Sequence, residues 1–110
     1  MEQHEIKIYQ LKRDEAMVPL WFTSYADLIK RELSVDSNNY ELIYTCTRPT
    51  PYTLDDVYRE FNINHPADFT GHSLSVGDVV VRTEDGTPYA YYVDDFGFKE
   101  VPEFLEVSAE

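Results

Sequence analysis

The sequence has little of three things that mark common functional classes: cysteine, basic residues and long apolar runs. Cys46 is the single cysteine, so an intramolecular disulfide and a multi-thiolate metal site are both excluded. Nine Lys plus Arg stand against 21 Asp plus Glu, a net charge of −12, which argues against a generic phosphate-binding surface. No apolar run approaches the roughly 20 residues of a membrane helix. No export signal is visible at the start of the sequence, and we therefore expect a cytoplasmic protein.

What the chain does contain is sufficient for one folded domain. It has 110 residues, of which 43% are hydrophobic and 15% aromatic. This length is typical of a single domain, and the apolar content argues against disorder despite the charge. We expect residues 1–110 to form one domain.

The negative charge is unevenly distributed. Residues 84–110 contain eight acidic residues and one base, Lys99, which gives −7, whereas residues 1–83 carry −5. Such asymmetry is typical of a partner-binding surface, and a solvated face explains it as simply.

Alternation of apolar and polar residues predicts a first strand over residues 4–11. Residues 40–47, 76–83 and 88–94 are rich in aromatic and β-branched residues and predict three more strands, and Asp85-Gly86 between the last two predicts a β-hairpin. Gly77-Asp78 precedes a buried valine strand, where we expect Asp78 to accept hydrogen bonds from turn amides.

Two segments have the spacing of short amphipathic helices, residues 24–33 and 53–61. Ser24 and Thr53 stand at their N-cap positions. We expect the apolar stripes to be buried. Their members are Tyr25, Leu28, Ile29 and Leu33 in the first helix and Leu54, Val57, Tyr58 and Phe61 in the second.

The remaining segments are less regular. Residues 17–22 contain Pro19 and fit a packed loop or a short edge strand. Residues 63–75 lack a clear period, and residues 101–107 fit a short strand or one helical turn. The order of elements predicts an α+β domain with a mostly antiparallel sheet, two short helices and a C-terminal β-hairpin.

Patterns that indicate catalysis or metal binding are weak. His65, Asp68 and His72 lie in a segment broken by Pro66 and Gly71, so helical spacing cannot bring them together as metal ligands. Ser73 near these histidines lacks the strained turn of a hydrolase nucleophile. We expect no metal, no cofactor and no catalytic residue.

The last third of the chain contains the candidate partner-binding residues. Tyr89 and Tyr91 share one face of a strand and Tyr92 the other, beside several acids, and tyrosine is a favoured anchor in protein interfaces. Packing of these rings within the core is an equally simple interpretation. The candidate residues are Glu84, Asp85, Tyr89, Tyr91, Tyr92, Asp94, Asp95, Glu100 and Glu103.

Nearly the whole chain resembles the YodL-like domain family. The resemblance rests on four blocks: Ile8-Tyr9-Gln10-Leu11; Tyr58-x-x-Phe61-Asn62; Asn64-His65-Pro66-x-Asp68-Phe69-x-Gly71-His72-Ser73-Leu74-Ser75-Val76-Gly77-Asp78-Val79-Val80; and Tyr92-Val93-Asp94-x-Phe96-Gly97-Phe98. It implies an origin in Firmicutes and their mobile genetic elements, often near anti-restriction genes. It provides no catalytic residue to transfer.

Together these observations give two expectations of function. The first is an acidic, non-enzymatic inhibitor that binds a host defence enzyme acting on nucleic acid, of the anti-CRISPR or anti-restriction type, with carboxylates that mimic phosphates. The alternative is a regulatory module that binds an unrelated host protein through its aromatic face. An uncharacterised enzyme is the third reading, and we expect neither direct nucleic-acid binding nor membrane association.

Overall fold

The computed structural model describes residues 3–63, 66–71, 73–95 and 97–108, with side chains as far as residue 105. The predictions that involve Asn64, His65, His72 and Phe96 concern residues outside this described part of the chain. Within the described residues, no helix is long and apolar enough to cross a membrane.

A five-stranded antiparallel sheet forms the centre of the domain, in the order β2-β1-β3-β4-β5. The α+β prediction is confirmed. The strands are β1 (Gln3–Leu11), β2 (Tyr40–Pro49), β3 (Val79–Glu84), β4 (Thr87–Val93) and β5 (Phe98–Glu100). Strand β5 was not predicted, because it has only three residues and follows directly on Gly97.

The helices lie between and after the strands. They are α1 (Tyr25–Lys30), α2 (Leu54–Ile63) and α3 (Glu103–Ser108), together with 3₁₀ helices at Glu15–Leu20 and Ser37–Asn39. Of the two alternatives for residues 101–107, the helical turn is therefore correct. Of the two alternatives for residues 17–22, the edge strand is wrong, since the segment is 3₁₀ helix and turn; Met17 and Leu20 pack, partly buried, against the hydrophobic core.

The sheet has a hydrophobic core on each face. On the first face, Tyr92 and Val79 pack with Leu28 of α1 and Phe104 of α3. On the second face, the side chains come from β1, β3, β4, α2 and the segment 66–75. They are Ile6, Ile8, Val57, Phe61, Phe69, Leu74, Val80 and Val93. Two covered faces explain why the valine run at 79–81 is buried throughout.

The predicted caps form as the sequence indicates. The Ser24 hydroxyl accepts the Asp27 N–H at 3.2 Å. Thr53 and Asp56 form a reciprocal capping box, in which the Thr53 hydroxyl accepts the Asp56 N–H and the Asp56 carboxylate accepts the Thr53 N–H. These bonds also hold the pKa of Asp56 below its ordinary value.

The predicted stripe of α1 is wrong in its second half. Leu28 is buried, but Ile29 and Leu33 are exposed. The helix ends after Lys30, and Glu32 takes a left-handed backbone with φ +59°. The chain therefore turns before Leu33 can continue the stripe. On α2 the corresponding exception is Tyr58, which is half exposed beside the buried Val57 and Phe61.

The left-handed backbone of Glu32 leads to a prediction about stability. Glu32→Gly should stabilise the domain by about 1 kcal/mol, because a residue with a β-carbon pays roughly that cost in the left-handed region and glycine does not. Urea denaturation followed by circular dichroism measures the change. Glu32→Ala removes the same charge but keeps the strain, so it should give no gain; equal effects of the two substitutions would contradict the explanation.

Candidate functional site

The β3–β4 hairpin presents a continuous exposed segment to solvent. Its turn residues Asp85 and Gly86 have φ of +52° and +81°, the positive values that a type I′ turn requires. All residues from 84 to 89 are exposed. The hairpin therefore displays Glu84, Asp85 and Tyr89 together at its tip.

The strand register determines which candidate residues share a face. Tyr89 lies opposite Arg82 of β3, and Tyr91 lies opposite Glu100 of β5. Side chains of directly opposed residues point to the same side of a sheet. Burial and then the Glu100 charge raise the pKa of the Tyr91 hydroxyl. We call Glu84, Asp85, Tyr89, Tyr91 and Glu100 the hairpin patch.

One arginine partly neutralises the hairpin patch. An Arg82 Nη1 hydrogen bonds to Glu84 Oε2 at 2.8 Å, and its Nε donates to the Tyr52 carbonyl at 3.0 Å. Three carboxylates in the patch and one adjacent guanidinium leave a local charge of −2. The patch is thus acidic and partly aromatic.

Tyr92 does not belong to this surface. Its side chain points to the first face of the sheet and is 1% exposed. Its hydroxyl donates to the Thr23 carbonyl at 2.5 Å, and its ring packs edge-on against Tyr25 at 6.0 Å. The folded protein therefore cannot offer Tyr92 to a partner, because its alternation with Tyr91 sends it into the core.

Three of the acidic candidates lie apart from the hairpin patch. Asp94 Oδ1 accepts the backbone N–H of Tyr25 at 3.0 Å and that of Asp95 at 2.9 Å, so Asp94 connects the end of β4 to the start of α1. Glu103 adds to burial in raising the pKa of Tyr25. The Lys99 amine lies 5.6 Å from the centre of the same ring. Asp94 and Glu103 therefore belong to the surroundings of Tyr25, and the nine candidates form no single surface.

A cavity that no sequence pattern predicts lies apart from the hairpin patch. It has a volume of about 230 Å³ and lies between the turn that follows the first 3₁₀ helix and the turn that precedes β3. We call it the Asp78 cavity. It is lined by Leu11, Arg13, Trp21, Phe22, Ser75, Val76 and Asp78.

Asp78 contributes a buried carboxyl group to this cavity. The residue is 3% exposed. Its Oδ2 accepts the Ser75 N–H at 2.9 Å and the Gln10 side-chain amide at 3.1 Å, as expected for a residue that bonds turn amides. Burial raises the pKa of Asp78 to about 7, against the opposing effect of those two bonds.

Glycines allow the segments around Asp78 to approach one another closely. A β-carbon on Gly71 would lie 2.5 Å from Oε1 of Gln10 and 2.7 Å from a methyl of Ile43. Gly77 has φ +105°, and its carbonyl accepts the Tyr40 hydroxyl at 2.6 Å. The backbone around Asp78 is therefore fixed on several sides.

Phe22 at the cavity has an unusual conformation. Its φ is +56°, which is rare for a bulky residue, and it is 69% exposed. The neighbouring Thr23 is fixed by Tyr92, and the Arg31 guanidinium donates to Thr23 Oγ1 and to the Pro19 carbonyl. These bonds hold the Phe22 backbone in place while its ring remains largely in solvent beside Trp21.

A comparison with family models gave a match over most of the chain. The model of the YodL-like domain matches residues 5–104, which includes most of β1, all of β2 to β5, and every residue of the hairpin patch and the Asp78 cavity. Neither the comparison with curated proteins nor that with solved structures gave a match. The matched region is almost the full chain, and the chain therefore belongs to the YodL-like domain family.

Proposed function

We propose that the chain is a small non-enzymatic binding protein that uses the hairpin patch to inhibit a host enzyme of nucleic-acid defence. The observation that carries the proposal is the exposure of Glu84, Asp85 and Tyr89 on one hairpin, with the exposed Glu100 of the adjacent strand β5 opposite Tyr91. We further propose a mobile-element origin and a target of the anti-CRISPR or anti-restriction type.

Charge complementarity supplies the physical reason. Enzymes that bind duplex DNA present Lys and Arg at a spacing suited to one phosphate charge per ~1.7 Å of helix axis. Carboxylates on a hydrogen-bonded hairpin can occupy such cations and accelerate encounter. Three arginines of this chain are already paired internally, Arg48 with Glu60, Arg59 with Asp56 and Arg82 with Glu84. Each pair takes one acid with one base, so the excess of acids over bases that gives the net charge of −12 is unchanged by the pairing.

The tyrosines support a second candidate function. Tyr89 is exposed and Tyr91 partly so, and tyrosine combines apolar contact area with a polar hydroxyl, as interface anchors do. A regulatory module that binds an unrelated host protein would use these rings as its main contact. Its affinity would depend little on salt.

Neutralising the patch distinguishes the two functions. In a pull-down against type II CRISPR effectors and restriction enzymes, the triple variant Glu84→Gln, Asp85→Asn, Glu100→Gln should weaken binding by about tenfold or more, since charge pairs at interfaces contribute on this scale. Wild-type binding should also fall steeply between about 50 and about 200 mM salt.

A matched control keeps the charge change and moves its position. The triple variant Glu5→Gln, Glu32→Gln, Glu41→Gln removes three exposed carboxylates that do not belong to the hairpin patch and should change binding by less than about twofold, because distant exposed charges are screened. Equal losses in both triple variants would contradict a local patch. If Tyr89→Ala loses partner binding and wild-type binding does not depend on salt, the second function is favoured.

A further inference from the structure

We propose that the Asp78 cavity binds a small organic cation, a protonated amine carried on an apolar or aromatic body. This site is separate from the hairpin patch and would be used independently of it. The reasons are the size of the cavity, the nature of its walls, the buried carboxyl group and the backbone of Phe22.

The volume restricts the ligand to a small one. At about 230 Å³, the cavity is smaller than the roughly 300 Å³ at which pockets for drug-sized ligands begin. It corresponds to the volume of about seven or eight molecules of liquid water. A single ring with a short side chain fits this space, whereas a nucleotide or a peptide segment would extend beyond it.

The walls are apolar with aromatic groups at the opening. Leu11 and Val76 contribute aliphatic side chains, and Trp21 and Phe22 contribute rings that are 39% and 69% exposed. Trp is the side chain that attracts cations most strongly through its ring face. Exposed rings of this kind gain both apolar burial and cation attraction when an ammonium-bearing ligand enters.

The buried carboxyl of Asp78 indicates that the ligand carries a positive charge. The carboxyl accepts the Ser75 N–H and the Gln10 amide within the fold and forms part of the cavity lining. An ionisable group at this position adds the capacity to pair with a cation, and a nearby ammonium would favour its charged form. The net charge of −12 attracts cations to the whole molecule.

Arg13 is the base among the lining residues, and it does not reverse this preference. Its side chain is exposed, so its guanidinium can remain solvated at the opening when a cation enters. Asp78 is buried in the cavity wall, so its carboxyl stays next to any ligand that enters. An anionic ligand would therefore meet the carboxylate at close range, with Arg13 as a weaker, water-screened partner.

The left-handed backbone of Phe22 is unfavourable for a residue with a side chain, and yet it places the Phe22 ring at the opening of the cavity. A left-handed residue with a β-carbon costs roughly 1–2 kcal/mol, and such strain persists where surrounding contacts impose it and is concentrated at ligand sites. Here the contacts of Pro19 and Thr23 impose it. Because the ring is largely exposed, packing within the domain does not account for its position.

The test is a titration of the full chain, followed by amide NMR, with three probes of similar size: 2-phenylethylamine, 2-phenylethanol and 3-phenylpropanoate. We expect the amine to bind about tenfold or more tightly than the alcohol, as a cation contact and an ion pair together predict. The acid should bind more weakly still. Chemical shifts should change at residues 11–13, 21–23 and 75–78.

Substitutions of Asp78 and Phe22 test which side chain causes the preference for the amine over the alcohol. Asp78→Asn should remove most of the preference for the amine over the alcohol, leaving only the part that the Trp21 ring contributes, and should leave alcohol binding unchanged. Phe22→Ala, whose ring is exposed and not needed for folding, should weaken the amine and the alcohol alike. Asp55→Asn on α2, against the opposite face of the sheet, and the hairpin triple variant should both leave amine binding unchanged.

Several results would overturn the proposal. The proposal is wrong if the amine and the acid bind equally well, or if no probe binds. It is also wrong if the preference for the amine over the alcohol is as large in Asp78→Asn as in the wild type. Shift changes confined to α2 or the hairpin would also overturn it. If Asp78→Asn does not fold, the probe comparison on wild type together with Phe22→Ala still decides the question.

Discussion

Phe61→Ala is expected to lower the free energy of unfolding by about 3–5 kcal/mol, the usual cost of deleting a fully buried phenylalanine. Phe61 lies on α2 and has no exposed surface. Its loss would leave a cavity in the second core, in the layer between α2 and the sheet. For a domain of this size such a change is a large fraction of the total stability.

Three aromatic rings make Phe61 difficult to replace. Phe61, Tyr44 and Phe69 contact one another edge-to-face, with centroid distances of 5.1 to 5.6 Å. Each such contact contributes about 0.5–1.5 kcal/mol beyond the buried area. The Phe61 carbonyl also accepts the Leu74 N–H. Removing the ring therefore weakens the attachment of α2, of β2 and of the segment that contains Phe69.

Tyr58→Ala is the matched control on the same helix. Its ring is 49% exposed, so we expect a cost below about 1 kcal/mol, as for surface substitutions away from special features. Urea denaturation monitored by both fluorescence and circular dichroism measures the difference and tests two-state behaviour. A cost for Phe61→Ala as small as that for Tyr58→Ala would mean that α2 does not pack as described.

The elements that the sequence predicts well are those with local signals. Alternation located β1, the aromatic and β-branched content of residues 40–47 located β2, Asp85-Gly86 located the hairpin, and Thr53 as N-cap located the start of α2. Each signal acts within a few residues, because period and capping are properties of neighbouring positions. The exposure of Leu33 could not be predicted in the same way, since it depends on where the chain turns at Glu32.

The hairpin patch was partly predictable. Alternation separates Tyr92 from Tyr89 and Tyr91, but it does not say which face is covered. Only the packing of Tyr25 and Thr23 against Tyr92 assigns that ring to the core. The register of β4 with β5 adds Glu100 to the patch and could not be predicted, because β5 itself was not.

The Asp78 cavity was not predictable from local pattern. Its two sides, Phe22 and Asp78, are far apart in sequence, and no spacing rule connects them. The bonding of Asp78 to turn amides was expected, but its burial depends on Gln10 and the close approach of Gly71. The positive φ of Phe22 is a tertiary effect without a sequence signal.

Asp78 should give the domain an unusual dependence on pH. Its pKa is about 7 in the folded protein, against an ordinary value of 3.8 for an exposed aspartate. Between these values the folded state holds a proton that the unfolded state has released, so stability falls as pH rises from about 4 to about 7. Since each pKa unit corresponds to about 1.4 kcal/mol, the total contribution is a few kcal/mol at most.

Glu60, Tyr40 and Tyr92 do not share the pH dependence of stability that Asp78 produces between about pH 4 and about pH 7. The Arg48 hydrogen bond holds the pKa of Glu60 below its ordinary value, so that group loses its contribution at lower pH. The phenols of Tyr40 and Tyr92, which lie near Asp78, have raised pKa values and stay neutral throughout.

Asp78→Asn isolates the contribution of this carboxyl. The difference in unfolding free energy between wild type and variant, measured from pH 4.5 to pH 8 by urea denaturation, cancels the shared titration of the other groups. We expect the wild type to lose stability relative to the variant by about 2 kcal/mol or more as pH rises over this range. Parallel curves would mean that Asp78 is already ionised below pH 4.5, as an exposed aspartate is. The Asp78 carboxyl is ionised mainly at neutral pH and above, so a bound cation should stabilise the folded wild type most in that range. When the measurement is repeated with 2-phenylethylamine, the unfolding free energy of the wild type should therefore approach that of Asp78→Asn at pH 8.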